Sequence, residues 1–167
     1  VKVVTTNVDD LHERAGSKNV VHLHGVLTEV VENYYGEPHV KDIGYTEYDP
    51  DGDDIIHGTF SAKPNVVFFG EDAPMYTHLW DLISETNESD ILVVIGSSNQ
   101  VVGFDQIASQ FPGLTYNINP ESNDLDFTDY TADVRETATD GLRLIKNEIV
   151  EHMNNFRINT DHTTTIE

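Results

Sequence analysis

The sequence predicts an α/β fold with parallel strands, and three observations carry that prediction. Apolar runs of strand length end in polar or small residues: Val1–Val4 leads into Thr5-Thr6-Asn7-Val8-Asp9, and Ile91–Ile95 into Gly96-Ser97-Ser98. The second run is unbroken by polar residues, as expected of a central parallel strand buried on both faces. Helical spacing alternates with these runs, at Leu79, Trp80, Leu82 and Ile83 within Tyr76–Glu88, and at Leu142, Ile145, Ile149 and Met153 within Thr139–Phe156. In open sheets of this class, ligands bind beyond the carboxyl ends of the strands. Asn7, Asp9 and His24 are therefore the first residues to suspect of chemistry.

Composition narrows the class of partner. With 167 residues, 38% of them apolar, the chain is in the range of one globular domain. No run approaches the roughly 20 apolar residues of a membrane span, and nothing reads as a signal peptide. The absence of cysteine excludes disulfides and thiolate metal sites and fits a reducing, cytoplasmic compartment. A net charge of −21 argues against nucleic acid or an anionic membrane as partner; it reads first as a solvated acidic surface, and it would also favour a basic, lysine-bearing substrate.

Element by element, Val1–Val4 is a strand and Asp10–Ala15 a helical turn that Gly16 can close. His12, on that turn, reads as a packing or capping residue. Asn19–Leu23 is a short β-branched strand ending in His24-Gly25. His22 is set aside in favour of His24, which stands at the end of the strand. From Val30 to Ala62 the chain is polar, turn-rich and acidic. Its Asp49–Asp54 run lacks the glutamate that a calcium loop needs, since position 58 is Gly58. His39 and His57 have no recognisable metal spacing. An acidic hairpin or turn packed by Tyr34, Tyr35, Tyr45 and Tyr48 is the expected structure. Lys63 to Glu71 is an apolar strand behind Pro64 and ended by Gly70. In the helix that follows, Trp80 is expected in the core. Leu114–Asn119 is a further strand, Ser122–Asp133 a polar loop, and Asn159–Glu167 a polar, frayed tail.

Several of these segments, taken in order, resemble the sirtuins, the NAD-dependent protein deacylases. The residues Thr5-Thr6-Asn7-Val8-Asp9-Asp10-Leu11-His12-Glu13-Arg14-Ala15-Gly16 and then His24-Gly25 follow the family's T-Q-N-I-D-x-L-H-x-x-A-G and H-G. Pro64-Asn65-Val66-Val67-Phe68-Phe69-Gly70-Glu71 resembles R-P-x-V-V-x-F-G-E, with Lys63 for arginine. Gly96-Ser97-Ser98-Asn99-Gln100-Val101 resembles G-T-S-x-x-V, and Ile118-Asn119-Pro120-Glu121 resembles I-N-x-E. The resemblance implies a Rossmann-like parallel sheet with helices on both faces and a small inserted subdomain. The core would be 1–29 with 63–157, the acidic insert 30–62, and the tail 158–167. The family's insert usually holds zinc through two C-x-x-C pairs; without cysteine, the insert is expected to be zinc-free and no metal ligand is assigned.

The same resemblance implies roles. NAD is the expected cofactor and an acyl-lysine protein or peptide the expected substrate. His24 would be the general base on the NAD ribose, a task for which imidazole suits because it titrates near neutral pH. Asn7 and Asp9 would recognise the nicotinamide amide. Thr6, Gly96, Ser97, Ser98, Asn119 and Glu121 complete the cofactor contacts, the last two on the adenosine ribose. Val67, Phe69, Gly70 and Val101 would face the substrate, which adds as a strand and draws affinity from main-chain hydrogen bonds.

Two departures stand beside the match. Thr6 replaces the family's glutamine, and the Gly-rich G-A-G-x-S loop that cradles pyrophosphate upstream is not among these residues. The chain is then expected to be the carboxyl-terminal portion of a longer protein, or a shortened form with an exposed sheet edge. A second copy or a partner chain would cover that edge. Three activities fit: a lysine deacylase, an NAD hydrolase or ADP-ribosyl transferase using the same activated ribose, and a non-catalytic NAD- or ADP-ribose-binding or interaction module. The retained peptide segment at Val67–Glu71 favours the first.

Overall fold

A computed structural model describes residues 1–49, 60–121 and 130–161, with no side-chain description for 60 and 158–161. The Asp51–Asp54 stretch, His57 and Ser122 lie outside the described residues. The chain divides into two compact units, Val1–Asp81 and Leu82–Glu167.

In the first unit, strand β1 (Val3–Thr5), helix α1 (Leu11–Arg14) and strand β2 (Val20–His22) form a small parallel crossover. Val3 pairs with Val20 and Thr5 with His22. Thr5, at the end of β1, and Leu23, just after β2, are buried. The second sheet of this unit is antiparallel, in the order β4 (Glu37–Asp42), β3 (Gly25–Tyr34), β5 (Phe60–Val66). Of the expected hairpin or turn, the described part of this interval forms a hairpin on a long strand. Tyr35 and Gly36 turn it, both at positive φ (54° and 91°), as a mirrored two-residue hairpin loop requires. Asn33 Oδ1 accepts from the Gly36 N–H at 2.8 Å and holds the turn.

The tyrosines do not pack this segment as a group. Tyr35 and Tyr45 are exposed, whereas Tyr34 and Tyr48 donate to the buried carboxylate of Glu32, joined by Lys41 at 3.3 Å. A buried carboxylate needs such donors, and this one holds the hairpin with polar contacts rather than apolar ones. Pro64 sits on β5, which among the described residues pairs only with β3; an edge strand tolerates the missing N–H. Both expected limits of the insert, at residues 29/30 and 62/63, fall inside strands.

Helix α2 (Met75–Ser84) follows. It buries Leu79, while Trp80 is 56% exposed and does not enter a core. Leu79, Leu82 and Ile83 share one face at i, i+3 and i+4, and the next position along points away from it.

The second unit is a parallel sheet, β6 (Ile91–Ile95), β7 (Leu114–Ile118) and β8 (Ala132–Val134), with α3 (Phe104–Gln110) and α4 (Ala138–Asp161). Among the described residues β6 pairs on one side only, and β7 is the central strand. The burial follows: Thr115 to Asn119 are all buried, whereas Ile95 is exposed. The core is Tyr116, Ile118 and Ile145, with Val93, Val134 and Ile149 against it. Helix α4 presents Gly141, Ile145 and Ile149 inward rather than the expected Leu142 and Met153, which are exposed. Gly141 decides the face, because a Cβ there would stand 2.4 Å from Ile118 Cγ2. The helix runs past Phe156 to Asp161, so the start of the expected tail is helical. Helix α3 and strand β8 are additions to the elements expected from sequence. Among the described residues, no helix is long and apolar enough to cross a membrane.

Candidate functional site

Polar residues gather where β1 and β2 end, as their order in the sequence predicts. Leu23 N–H donates to Thr5 O at 2.9 Å and Val67 N–H to His24 O at 2.9 Å. These bonds draw Thr6, His24 and Val67 together from three distant segments. Gly25 makes the approach feasible: it sits at φ 82°, and a Cβ on it would meet Asn65 O at 1.9 Å.

His24 is half-buried, with Nδ1 3.2 Å from Thr6 O and Nε2 2.8 Å from the Tyr76 hydroxyl. A carbonyl only accepts, so in the neutral ring Nδ1 carries the proton and Nε2 presents the lone pair. That is the tautomer a base acting through Nε2 requires. Thr6 makes this contact through its backbone carbonyl.

His22 has acceptors at both nitrogens. Its Nδ1 donates to Asn7 O at 2.9 Å and its Nε2 faces Glu13 Oε1 at 3.0 Å. Only the imidazolium donates to both. Burial disfavours that charge, but the Asn7 carbonyl and the Glu13 carboxylate, helped by Asp9, outweigh it and raise the pKa above the ordinary 6.5. A raised folded-state pKa means that this clamp contributes fully below about pH 6.5 and is lost as pH climbs through the raised value. The melting temperature of wild type should therefore exceed that of His22→Gln at about pH 6, and the gap should narrow towards about pH 8.5. A gap constant across that range would show that protonation of His22 does not hold Asn7.

Asn7 itself is exposed, and Asp9 Oδ1 accepts from the Leu11 N–H at 3.1 Å in an Asx turn that leads into α1. Further along, Val67 is half-buried, while Phe69 is fully exposed beside Gly70 at φ 88°. Glu71 fixes this loop by accepting from the Phe68 N–H at 2.9 Å and from Lys63 Nζ. The lysine bond and then the Phe68 N–H lower its pKa. Lys63 also lies 4.7 Å from the Phe68 ring centroid.

In the second unit, Gly96, Ser97, Ser98, Asn119 and Glu121 collect at the carboxyl ends of β6 and β7. Gly96 N–H donates to Ile118 O at 2.9 Å, Asn119 Nδ2 to Ser97 O at 3.0 Å, and Glu121 N–H to Asn119 Oδ1 at 3.1 Å. The Asn119 side chain thus ties the two loops and is buried in doing so. Arg135 donates to the Glu121 carbonyl at 2.6 Å and pairs with Asp133 at 2.5 Å. Val101, in the same unit, is exposed.

Two residues, one in each unit, escape sequence reasoning. Asn99, at φ 56°, has a buried Nδ2 with no partner, and asparagine's tolerance of positive φ is the one signal for it. Tyr76 meets His24 across 52 residues, and no spacing rule announces such a contact. Among the described residues no three His, Asp or Glu side chains converge as for a metal; His39 instead lies 6.1 Å from the Tyr34 ring.

A family model described as the Sir2 family matches residues 1–103. An NAD-dependent protein deacylase of Aggregatibacter actinomycetemcomitans is 38% identical over 128 residues, covering 74% of this chain and 57% of that protein. A solved mutant Sir2 homologue in complex with ADP ribose is 28% identical with a TM-score of 0.65, covering 100% of this chain and 63% of that one. A solved Sir2 with p53 peptide and NAD+ is 25% identical with a TM-score of 0.63, covering 89% and 62%. The chain spans less than two thirds of the length of each of these proteins.

Proposed function

The chain belongs to the Sir2 family, and we propose that it acts as an NAD-dependent protein-lysine deacylase, passing the acyl group to ADP-ribose and releasing nicotinamide. The observation that carries the reading is His24, held half-buried at a strand end in its Nδ1–H tautomer by Thr6. Such an imidazole can take a hydroxyl proton at Nε2.

The residues present fit the cofactor. Gly96, at φ 65°, has no atom within 4 Å of where a Cβ would stand, which leaves room for a ligand against the backbone. Asn99 Nδ2 is a buried donor that still needs an acceptor. Bound to these residues, NAD would supply an activated bond between nicotinamide and ribose. In the first unit, Thr6, Asn7 and Asp9 would hold the nicotinamide end. In the second, Gly96, Ser97, Ser98, Asn119 and Glu121 would hold the adenosine end. Val67, Phe69, Gly70 and Val101 would face the acyl-lysine peptide, with the β5–Gly70 segment offering main-chain partners. Lysine-rich substrate fits the charge of −21.

We assign the cofactor-binding core to 1–29 and 63–157, the insert to 30–62, and the enzyme to the cytoplasm. A second copy or a partner chain would cover the free side of β6; a monodisperse monomer in sedimentation would count against that cover. The function itself is tested by nicotinamide release from NAD with and without an acetyl-lysine peptide. Peptide-dependent release is the expected result. Release that ignores peptide would make the chain an NAD hydrolase, and no release would end the enzymatic reading.

A further inference from the structure

The lone pair on His24 Nε2 is already engaged. In the neutral ring that a base requires, Nδ1 gives its proton to the Thr6 carbonyl, so the Tyr76 hydroxyl at 2.8 Å from Nε2 is the donor of that second bond. A substrate hydroxyl that is to lose its proton to His24 therefore meets the Tyr76 oxygen first. Tyr76 is tied in place rather than carried on a loop tip. It lies in the first turn of α2, whose start is closed by Tyr76 N–H to Ala73 O at 3.1 Å and Thr77 N–H to Pro74 O at 3.2 Å. Its ring leans on the imidazole with centroids 5.8 Å apart and planes 58° apart.

We infer that Tyr76 is a further catalytic residue, a hydroxyl relay between the substrate hydroxyl and His24. The substrate O–H bond breaks and its proton joins the Tyr76 oxygen. The proton that Tyr76 already carries passes to Nε2, so His24 ends as the imidazolium and Tyr76 is neutral before and after. The electron pair left on the substrate oxygen is then available for attack. Burial pushes the Tyr76 pKa up, which keeps the phenol protonated and suits it to passing protons without storing charge. The inference rests on the deacylase reading, in which His24 is the base.

The test is Tyr76→Phe in the full chain, which removes the hydroxyl and keeps the ring. Two readouts are taken: the ¹⁵N resonances of the His24 imidazole in the ligand-free protein, and nicotinamide release with acetyl-lysine peptide. The relay predicts that the Nε2 resonance moves towards that of an unbonded pyridine-like nitrogen while Nδ1 stays protonated. It also predicts that kcat falls by roughly 10- to 100-fold with KM within about twofold. A moved resonance with unchanged kcat overturns the relay and leaves the deacylase reading intact. An unmoved resonance overturns the contact itself. A wild-type chain that releases no nicotinamide removes the deacylase reading and the relay with it, while the spectrum still reports on the contact separately.

Discussion

Gly25→Ala is expected to destabilise the first unit by at least ~3 kcal/mol, the sum of left-handed strain and a forced backbone shift. At φ 82° the backbone favours glycine, and an added Cβ would stand 1.9 Å from Asn65 O and 2.8 Å from Asn65 C. Those are main-chain atoms of β5, so no side chain can rotate away; the two strands must part. They part where it matters, because the Val67 N–H bond to His24 O lies immediately beside Gly25. Gly36→Ala is the control. It shares the positive φ, at 91°, but has nothing within 4 Å of the added carbon, so about 1 kcal/mol of strain is expected there. Urea denaturation of the two variants separates the effects, and equal losses would show that the close approach is not real.

The second large effect is on rate. His24→Ala is expected to lower kcat for nicotinamide release by roughly 10²- to 10⁴-fold, the usual worth of a positioned general base. The fold should survive, because His24 is half-buried beside the core residue Leu23 rather than part of the core. The variant loses hydrogen bonds to Thr6 O and Tyr76, whose remaining exposure lets water replace them. Circular dichroism checks the fold and single-turnover release checks the chemistry. A variant within about twofold of wild type would exclude His24 as the base.

Elements whose signal is local are legible in the amino-acid sequence. The apolar run Ile91–Ile95 closed by Gly96 and the run Leu114–Ile118 are strands, because each sequence is self-sufficient over one strand length. The acidic interval is harder to read. Its hairpin rests on Glu32 receiving donors from Tyr34, Lys41 and Tyr48, a polar interior that a search for apolar alternation passes over. Helix α3 has Ile107 and Ala108 as its buried residues, too short a stripe to stand out. Trp80 misleads because its size suggests burial, whereas its position one step past Leu79 turns it outward.

The sequence by itself determined the parallel α/β class, the family, and the cluster of polar residues after β1 and β2 that includes Thr6, Asn7, Asp9 and His24. All of these follow from the order of residues along short stretches of chain. Only the tertiary structure decided which strand is central, which face of α4 turns inward, and which nitrogen of His24 is basic. The physical reason is the same in each case. Burial and hydrogen-bond direction depend on the partner that arrives from elsewhere: β8 beside β7, Ile118 against Gly141, and Thr6 O and the Tyr76 hydroxyl at the two ends of one imidazole.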